Sequence, residues 1–186
     1  YGTVAEGFRS GGVNRNAATD RVTGVLLPER QGFESDAIWS YEIGSKNTFM
    51  DGRLIVNSAA FFIDWKDLQA DGVVDGVVQR WVTNQGKAES KGFEVEAVAV
   101  VGDGWSLTGF VSYSDAELSE DSSGQPNGTP LPAVAPWKFG GSAQYEWPLA
   151  NGMRGRVRAD YSYLDDQRQS LSQTSRIIQS HEQINI

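Results

Sequence analysis

The sequence predicts an all-β fold, an antiparallel meander of about eight long strands that forms an open, curled segment of a transmembrane β-barrel. Three observations predict this fold. Apolar and polar residues alternate along the predicted strands, short and long links alternate between those strands, and aromatic residues recur at a spacing that matches a lipid bilayer.

Eight segments are predicted as strands, near residues 1–9, 36–49, 53–65, 79–101, 104–116, 135–147, 152–166 and 179–186. Residues alternate with a period of two in 39–49, 92–101, 105–115, 137–147 and 153–163, as expected for strands with two different faces. Phe110 breaks the pattern once. The segment 54–64 is apolar on both parities, so its two faces stay unassigned.

One parity of these strands carries aromatic residues and the other carries charges, which predicts a lipid-facing side and a wet, lumen-facing side. The predicted lumen-facing residues are Glu42, Lys46, Glu94, Glu96, Glu146, Arg154, Arg156, Arg158 and Asp160. The predicted lipid-facing aromatic residues are Trp39, Tyr41, Trp105, Tyr113, Phe139, Tyr145, Trp147 and Tyr161.

The links between the strands are of two kinds. Asp51-Gly52, Asp103-Gly104 and Asn151-Gly152 mark short turns of the kind that tight hairpins favour. Long polar stretches rich in Gly, Pro and Ser lie between them, near 10–36, 65–80, 117–135 and 166–178. In a meander, alternate links lie at opposite ends of the sheet. The short turns should therefore share one rim and the long loops the other, as in outer-membrane barrels.

The spacing of the aromatic residues along a strand can be compared with the thickness of a bilayer. Trp105 and Tyr113, like Phe139 and Trp147, are eight positions apart, or about 26 Å along a strand at about 3.3 Å per residue. A tilt of about 40° reduces this to about 20 Å along the membrane normal, near the roughly 25 Å band that aromatic girdles flank.

The composition of the 186 residues excludes several classes of protein. No window approaches the roughly 20 uninterrupted apolar residues of a membrane-spanning helix. A formal net charge of −8 argues against nucleic acid as a partner, since Lys and Arg must neutralise phosphates there. Because the chain has no Cys, disulfides, thiolate metal sites and Cys nucleophiles are excluded.

Four stretches resemble the TonB-dependent outer-membrane receptors. They are EGFRSGGVN at 6–14, WSYEIGSK at 39–46 with Pro28-Glu29 before it, DGRLIVNSAAFFIDWKDLQ at 51–69 and NQGKAESKGFEVE at 84–96. Their order and spacing agree with the family over about the first 115 residues, and only the rhythm of strands continues beyond.

The resemblance implies a plugged barrel in the outer membrane that takes up an iron chelate or a similar scarce nutrient. It implies four partners: outer-membrane lipid, the receptor's own plug domain, an inner-membrane energy-coupling complex reached through the plug, and a small-molecule ligand. We expect residues 1–186 to form a partial barrel, because the plug and the final strands are missing and about eight strands compare with about 22 in plugged transporters. The chain opens at Tyr1 without Met or a signal peptide, so its start looks internal.

A different class of protein is the alternative. In a soluble all-β carbohydrate-binding module, Trp39, Trp105, Trp137 and Trp147 would form a core or a platform on which sugars stack. The alternation of short and long links counts against this alternative.

No catalytic site, cofactor or metal site is expected. His181 is the single His, so neither a His-dependent triad nor a two-His metal site can be built. Glu94 and Glu96 could form a glycosidase carboxylate pair, but a polar lumen explains them better. Similarly, a solvated loop explains Asp64, Asp67, Asp71 and Asp75 better than a calcium site.

The long loops are the better candidates for function. Trp65, Trp81 and the 117–135 stretch are the candidate ligand contacts, since exposed aromatic residues on a loop rim can hold a chelate or a sugar. The alternative for Trp81 is that it merely pairs across an extended hairpin.

Overall fold

A computed structural model describes residues 1–14, 23–25, 27–74, 77–122, 124–171 and 175–186, with the backbone alone at Glu29 and within 71–80. The strands in these residues are β1 (Gly2–Arg9), β2 (Gly12–Val13), β3 (Gly32–Phe33), β4 (Asp36–Phe49), β5 (Leu54–Lys66), β6 (Gln69–Val74), β7 (Val77–Asn84), β8 (Ala88–Val101), β9 (Trp105–Leu118), β10 (Trp137–Pro148), β11 (Arg154–Leu164), β12 (Gln167–Arg168), β13 (Ile177–Ile178) and β14 (His181–Asn185). Two short 3₁₀ helices span Pro28–Arg30 and Ala150–Gly152.

Eight of these strands form one open sheet in the order β1-β4-β5-β8-β9-β10-β11-β14, and every neighbouring pair is antiparallel. The remaining strands pair inside the long links as β2–β3, β6–β7 and β12–β13. The all-β antiparallel meander predicted from the sequence is therefore confirmed, and its edge strands β1 and β14 do not pair with each other.

The links sort by length as predicted. The sheet strands are joined by short links at 50–53, 102–104 and 149–153 and by long links at 10–35, 67–87, 119–136 and 165–180. Because sequential sheet strands are antiparallel neighbours, the short links lie along one edge of the sheet, the turn rim, and the long links lie along the other, the loop rim. At the turn rim Asp51 and Asn151 adopt positive φ values of 53° and 61°, a conformation that Asn and Asp tolerate.

One predicted strand is wrong in its bounds. Residues 79–101 divide into β7 and β8, because the chain turns away at Gln85–Lys87, where Gly86 has a φ of 76°. The predicted 65–80 loop is likewise mostly a hairpin, since β5 continues to Lys66 and β6 pairs with β7. The other seven predicted sheet strands agree with the structure to within two residues at each end.

The sheet is one layer thick, so the described residues bury little apolar surface. The buried hydrophobic residues are Leu68, Ala88, Ala116, Leu118 and Ala135, all near the loop rim. Large apolar side chains along the strands stay exposed, including Trp105 at 45% and Val157 at 48%. Both faces of the sheet are therefore open to a partner.

Aromatic rings cover glycines on neighbouring strands. The Phe61 ring covers Gly92, and the Phe110 ring covers Gly140. An added Cβ at Gly92 would collide with the carbonyl oxygen of Tyr113 and lie 2.7 Å from the Phe61 ring. The Phe110 that breaks the sequence pattern is therefore explained, because its ring fills the space that the glycine leaves.

We expect Gly92→Ala to destabilise the folded protein by about 1–3 kcal/mol, the usual cost of overpacking. Chemical denaturation of the purified full-length protein measures this cost. Gly109→Ala is the matched control, since a Cβ there meets nothing closer than the Gly140 carbonyl oxygen at 3.9 Å. Equal stability of the two variants would contradict the packing described for Gly92.

Candidate functional site

The strand register divides the side chains of the sheet between two faces. Lys46, Asn57, Glu96 and Phe110 lie directly opposite one another on successive strands and so share a face. The other face is defined in the same way, since Phe93 lies opposite Tyr113 and Tyr113 opposite Trp137. The register also assigns the two faces of the segment 54–64, which the sequence pattern alone did not. Even-numbered residues of β5 lie on the same face as Phe93.

We call one side of the sheet the aromatic face. Its rings contact one another in four sets, three nearer the loop rim and one, the turn-rim group, nearer the turn rim. In the turn-rim group the Trp105 and Tyr145 ring centroids are 4.9 Å apart. The face holds all eight aromatic residues that the sequence assigned to one side, together with Phe62, Phe93, Trp137 and Tyr163: Trp39, Tyr41, Trp105, Tyr113, Phe139, Tyr145, Trp147 and Tyr161.

We call the opposite side the charged face. It holds all nine residues that the sequence assigned to the other parity: Glu42, Lys46, Glu94, Glu96, Glu146, Arg154, Arg156, Arg158 and Asp160. The nine charges are unevenly spread, since β4 and β8 carry three carboxylates and Lys46, whereas β10 and β11 carry three arginines with Glu146 and Asp160.

Several charges of this face have partners on the face itself. Arg154 Nη2 lies 3.4 Å from Glu146 Oε2, and Arg158 donates to Asp160 at 2.6 Å. On the carboxylate side, Asn57 Nδ2 donates to Glu96 Oε1 at 2.7 Å. These side chains are largely exposed, with Arg154 at 68% and Arg158 at 51%, so each ion pair contributes only about 0–1 kcal/mol.

A buried carboxylate lies where the charged face meets the loop rim. Asp36 is only 2% exposed, and both of its oxygens accept hydrogen bonds. Arg9 donates from its backbone amide and its guanidinium, Trp65 Nε1 donates at 2.9 Å, and the Gln69 amide donates at 3.2 Å. We call Arg9, Asp36, Trp65 and Gln69 the Asp36 cluster.

The environment of Asp36 favours its charged form. Burial alone would raise the pKa of this carboxyl group, but the hydrogen bonds from Arg9, Gln69 and Trp65 outweigh burial and lower the pKa from 3.8 to about 2. Asp36 opens β4 three positions before Trp39, the first ring of the aromatic face on that strand, and so lies at the loop end of the sheet.

Polar contacts join the first two long links. The Asn14 side chain donates to the Val82 carbonyl at 2.7 Å and accepts from the Val82 amide at 2.9 Å. The Arg30 guanidinium lies 4.2 Å from the centre of the Trp81 ring, a cation–π contact. Residues 10–14 and 27–35, the described parts of the first link, are therefore held against β7.

Apolar contacts join the later links. Leu68, Ala88 and Leu118 form a buried cluster against which Leu131 and Leu171 pack. Leu68 belongs to the 67–87 link, Leu131 to the 119–136 link and Leu171 to the 165–180 link, so three loops converge on one apolar cluster.

The two predicted ligand tryptophans have different positions. Trp65 is not an exposed loop residue as the sequence suggested, because it lies inside β5, half-buried, with the Arg9 guanidinium 5.0 Å from its ring centre. Trp81 does pair across a hairpin, opposite Gly72, and in addition stacks with Arg30.

No group of three or more His, Asp or Glu side chains that could hold a metal ion occurs among the described residues. The Asp71 side chain and Asp75, which the sequence analysis considered for calcium, lie outside the described residues. His181 opens β14 and is exposed.

Sequence reasoning missed Arg9, Asp36 and Gln69 as a site. A signal existed, since Arg9 and Asp36 occupy the ends of two strands that a 26-residue link joins, and the meander places those ends side by side. The sequence pattern offers no reason to place Gln69 beside Asp36, because Gln69 is the first residue of the β6–β7 hairpin, which was not predicted.

This architecture defines a class of protein. A single-layer antiparallel meander with turns on one rim, loops on the other, one aromatic face and one charged face is a segment of a β-barrel wall. Of the described residues, neither 3₁₀ helix has the length or the apolar character to cross a membrane, and no other helix is present.

Comparison with known proteins agrees with this class. The family model described as TonB dependent receptor-like, beta-barrel, matches residues 1–181. The chain belongs to the β-barrel family of TonB-dependent receptors.

Solved structures share the fold. The ferric yersiniabactin uptake receptor of Yersinia pestis is 19% identical over 98% of this chain and 26% of its own, with a TM-score of 0.74. The ferric preacinetobactin receptor of Acinetobacter baumannii is 17% identical over 98% and 26%, with a TM-score of 0.69. A copper transporter is 11% identical over 99% and 27%, also at 0.69. The chain thus spans about a quarter of their length. The alternative of a soluble carbohydrate-binding module is wrong.

The depressed pKa of Asp36 predicts a pH dependence. Because the folded value of about 2 lies below the usual 3.8, the carboxylate stabilises the loop rim above about pH 4, and this contribution declines as the pH falls through 2. In the intact receptor, amide-exchange protection of 67–87 should be higher in the wild type than in Asp36→Asn at pH 5, and the difference should shrink at pH 2. An unchanged difference at pH 2 would contradict the assignment.

Proposed function

We propose that this chain is part of an outer-membrane active transporter that takes up an iron chelate or a similar scarce nutrient. Family membership over residues 1–181 carries the proposal. The separation of an aromatic face from a charged face supports it, because a barrel wall needs one side for lipid and one for a wet interior.

In this proposal the aromatic face contacts outer-membrane lipid. Its rings lie in sets toward the two rims of the sheet, as expected for girdles at two bilayer interfaces. Only small or apolar side chains such as Val111, Leu107 and Ala143 share the face between Trp105 and Tyr113.

The charged face lines the lumen and seats the receptor's own plug domain. Its charges, mostly acidic on β4 and β8 and mostly basic on β11, would pair with complementary charges of the plug. Energy for uptake would reach the plug from an inner-membrane complex. The plug and the final strands would belong to other parts of the receptor, with 1–186 as one portion of its wall.

The ligand arrives at the loop rim. An iron chelate is the proposed ligand, since two of the solved structures that share this fold are named as receptors for ferric yersiniabactin and ferric preacinetobactin. The chain catalyses no bond-making step in this proposal.

The orientation of the two faces can be tested with an arginine scan. Val111→Arg places a charge on the aromatic face and should cost about 2 kcal/mol of unfolding free energy in the intact receptor in lipid, between the midplane and interface values. Ser112→Arg, the matched control on the next residue, points to the charged face opposite Glu94 and should be within about 0.5 kcal/mol of the wild type. A larger loss of unfolding free energy in Ser112→Arg than in Val111→Arg would contradict the proposal that the aromatic face contacts lipid.

The division of labour between wall and loops can be tested by ligand binding. Arg156→Ala in the full-length receptor should leave the affinity for ligand within a few-fold, because exposed charge pairs contribute only about 0–1 kcal/mol. Deletion of 119–130 should weaken binding ten-fold or more. Titration with ferric yersiniabactin and ferric preacinetobactin measures both, and a larger loss in the Arg156 variant would show that specificity lies in the wall.

A further inference from the structure

The Asp36 cluster joins three separate parts of the chain. Arg9 ends β1, Trp65 lies one residue from the end of β5, and Gln69 opens β6. All three donate hydrogen bonds to one carboxylate that is 2% exposed. A buried charge with this many donors fixes the spacing of the segments that supply them, because leaving any donor or oxygen unpaired there is costly.

Gln69 extends the cluster to the first long link. Its side-chain amide donates to the carbonyl oxygens of Ser10 at 3.2 Å and Glu34 at 2.9 Å. In return the Arg9 guanidinium donates to the Gln69 carbonyl at 3.0 Å. The first residue of the hairpin is therefore attached to both ends of the 10–35 link.

The opposite strand of the hairpin is attached at the same level. Asn84, which pairs with Gln69 in the register of β6 and β7, accepts from the Glu34 amide at 2.8 Å and donates to the Asp67 carbonyl at 2.7 Å. Both strands of the hairpin are thus anchored at their base. The contacts of Asn14 with Val82 and of Arg30 with Trp81 hold the hairpin two to three residues further along.

We propose that Asp36 is a positioning residue for ligand recognition. It fixes the base of the β6–β7 hairpin to residues 10–14 and 27–35 as one rigid element at the mouth of the barrel, and thereby presents Trp81 and its stacked Arg30 in a single arrangement. Trp65 then serves the cluster as a hydrogen-bond donor and is not itself a ligand contact. This inference rests on the proposed function, in which the loop rim receives an iron chelate.

The test uses Asp36→Asn in the purified full-length receptor. This change keeps the shape of the side chain, removes its charge and leaves one acceptor oxygen. Asp64→Asn is the matched control, a strand-end carboxylate on β5 that is 37% exposed and contacts Lys66 only at 4.0 Å. Gln69→Ala removes the hydrogen bonds to Ser10 and Glu34 without removing a charge. If Asp36→Asn does not assemble, the same measurements are made on Gln69→Ala.

Amide hydrogen exchange without ligand is the first measurement. Asp36→Asn and Gln69→Ala should each raise exchange in 67–84 and 27–35 at least ten-fold, while β8 to β11 and the melting midpoint of the barrel stay as in the wild type. Exchange in 67–84 that equals that of the Asp64→Asn control would overturn the proposal.

Affinity for ferric yersiniabactin and ferric preacinetobactin is the second measurement. Both cluster variants should bind the accepted chelate at least ten-fold more weakly than the control. A loosened hairpin with unchanged affinity would overturn the positioning role and leave the proposed function intact. If the wild type binds neither chelate, the iron-chelate assignment fails separately, and the exchange result alone decides whether Asp36 fixes the hairpin.

Discussion

Backbone hydrogen bonding between neighbouring strands is the interaction on which the rest of this structure depends. The sheet is one layer thick and the described residues bury only five apolar side chains, all at one rim, so no packed interior holds the strands together. The register of these hydrogen bonds also determines which side chains lie on each face. A shift of one residue in a strand would move its aromatic side chains to the charged face and its charged side chains to the aromatic face. Contacts such as Phe61 over Gly92 favour one register, since a ring can lie flat only where the neighbouring strand has no side chain.

Much of this sheet could be predicted from the sequence, because a two-sided wall imposes a different chemistry on alternate residues. The period of two in 153–163 placed Arg156 and Val157 on opposite faces, and the register confirms that arrangement. The short turns were equally visible, since Asp51-Gly52 and Asn151-Gly152 supply the backbone conformations that tight links need. In these segments the local sequence pattern is therefore sufficient to indicate the face of each side chain and the position of each turn.

The loop rim could not be predicted in the same way. Hairpin β6–β7 lies in a Gly- and Asp-rich segment without clean alternation, so residues 65–80 resembled an irregular loop and β7 merged with β8. In the sequence pattern Asp36 is only the first residue of a predicted strand. Its role depends on Arg9, Trp65 and Gln69, which come from three other positions in the chain and meet only when the meander has formed. Periodicity describes the two faces of a strand but carries no information on such convergence.

The two kinds of charge in this chain suit two different tasks. On the charged face Arg154 and Arg158 are exposed and their carboxylate partners partly exposed, so each pair is weak and can be exchanged for a contact with another surface at little cost. At the loop rim the charge of Asp36 is buried and fully engaged, so it resists rearrangement. In the proposed transporter the wall would therefore seat the plug through weak, replaceable contacts, whereas the buried Asp36 would hold the loop rim in one arrangement.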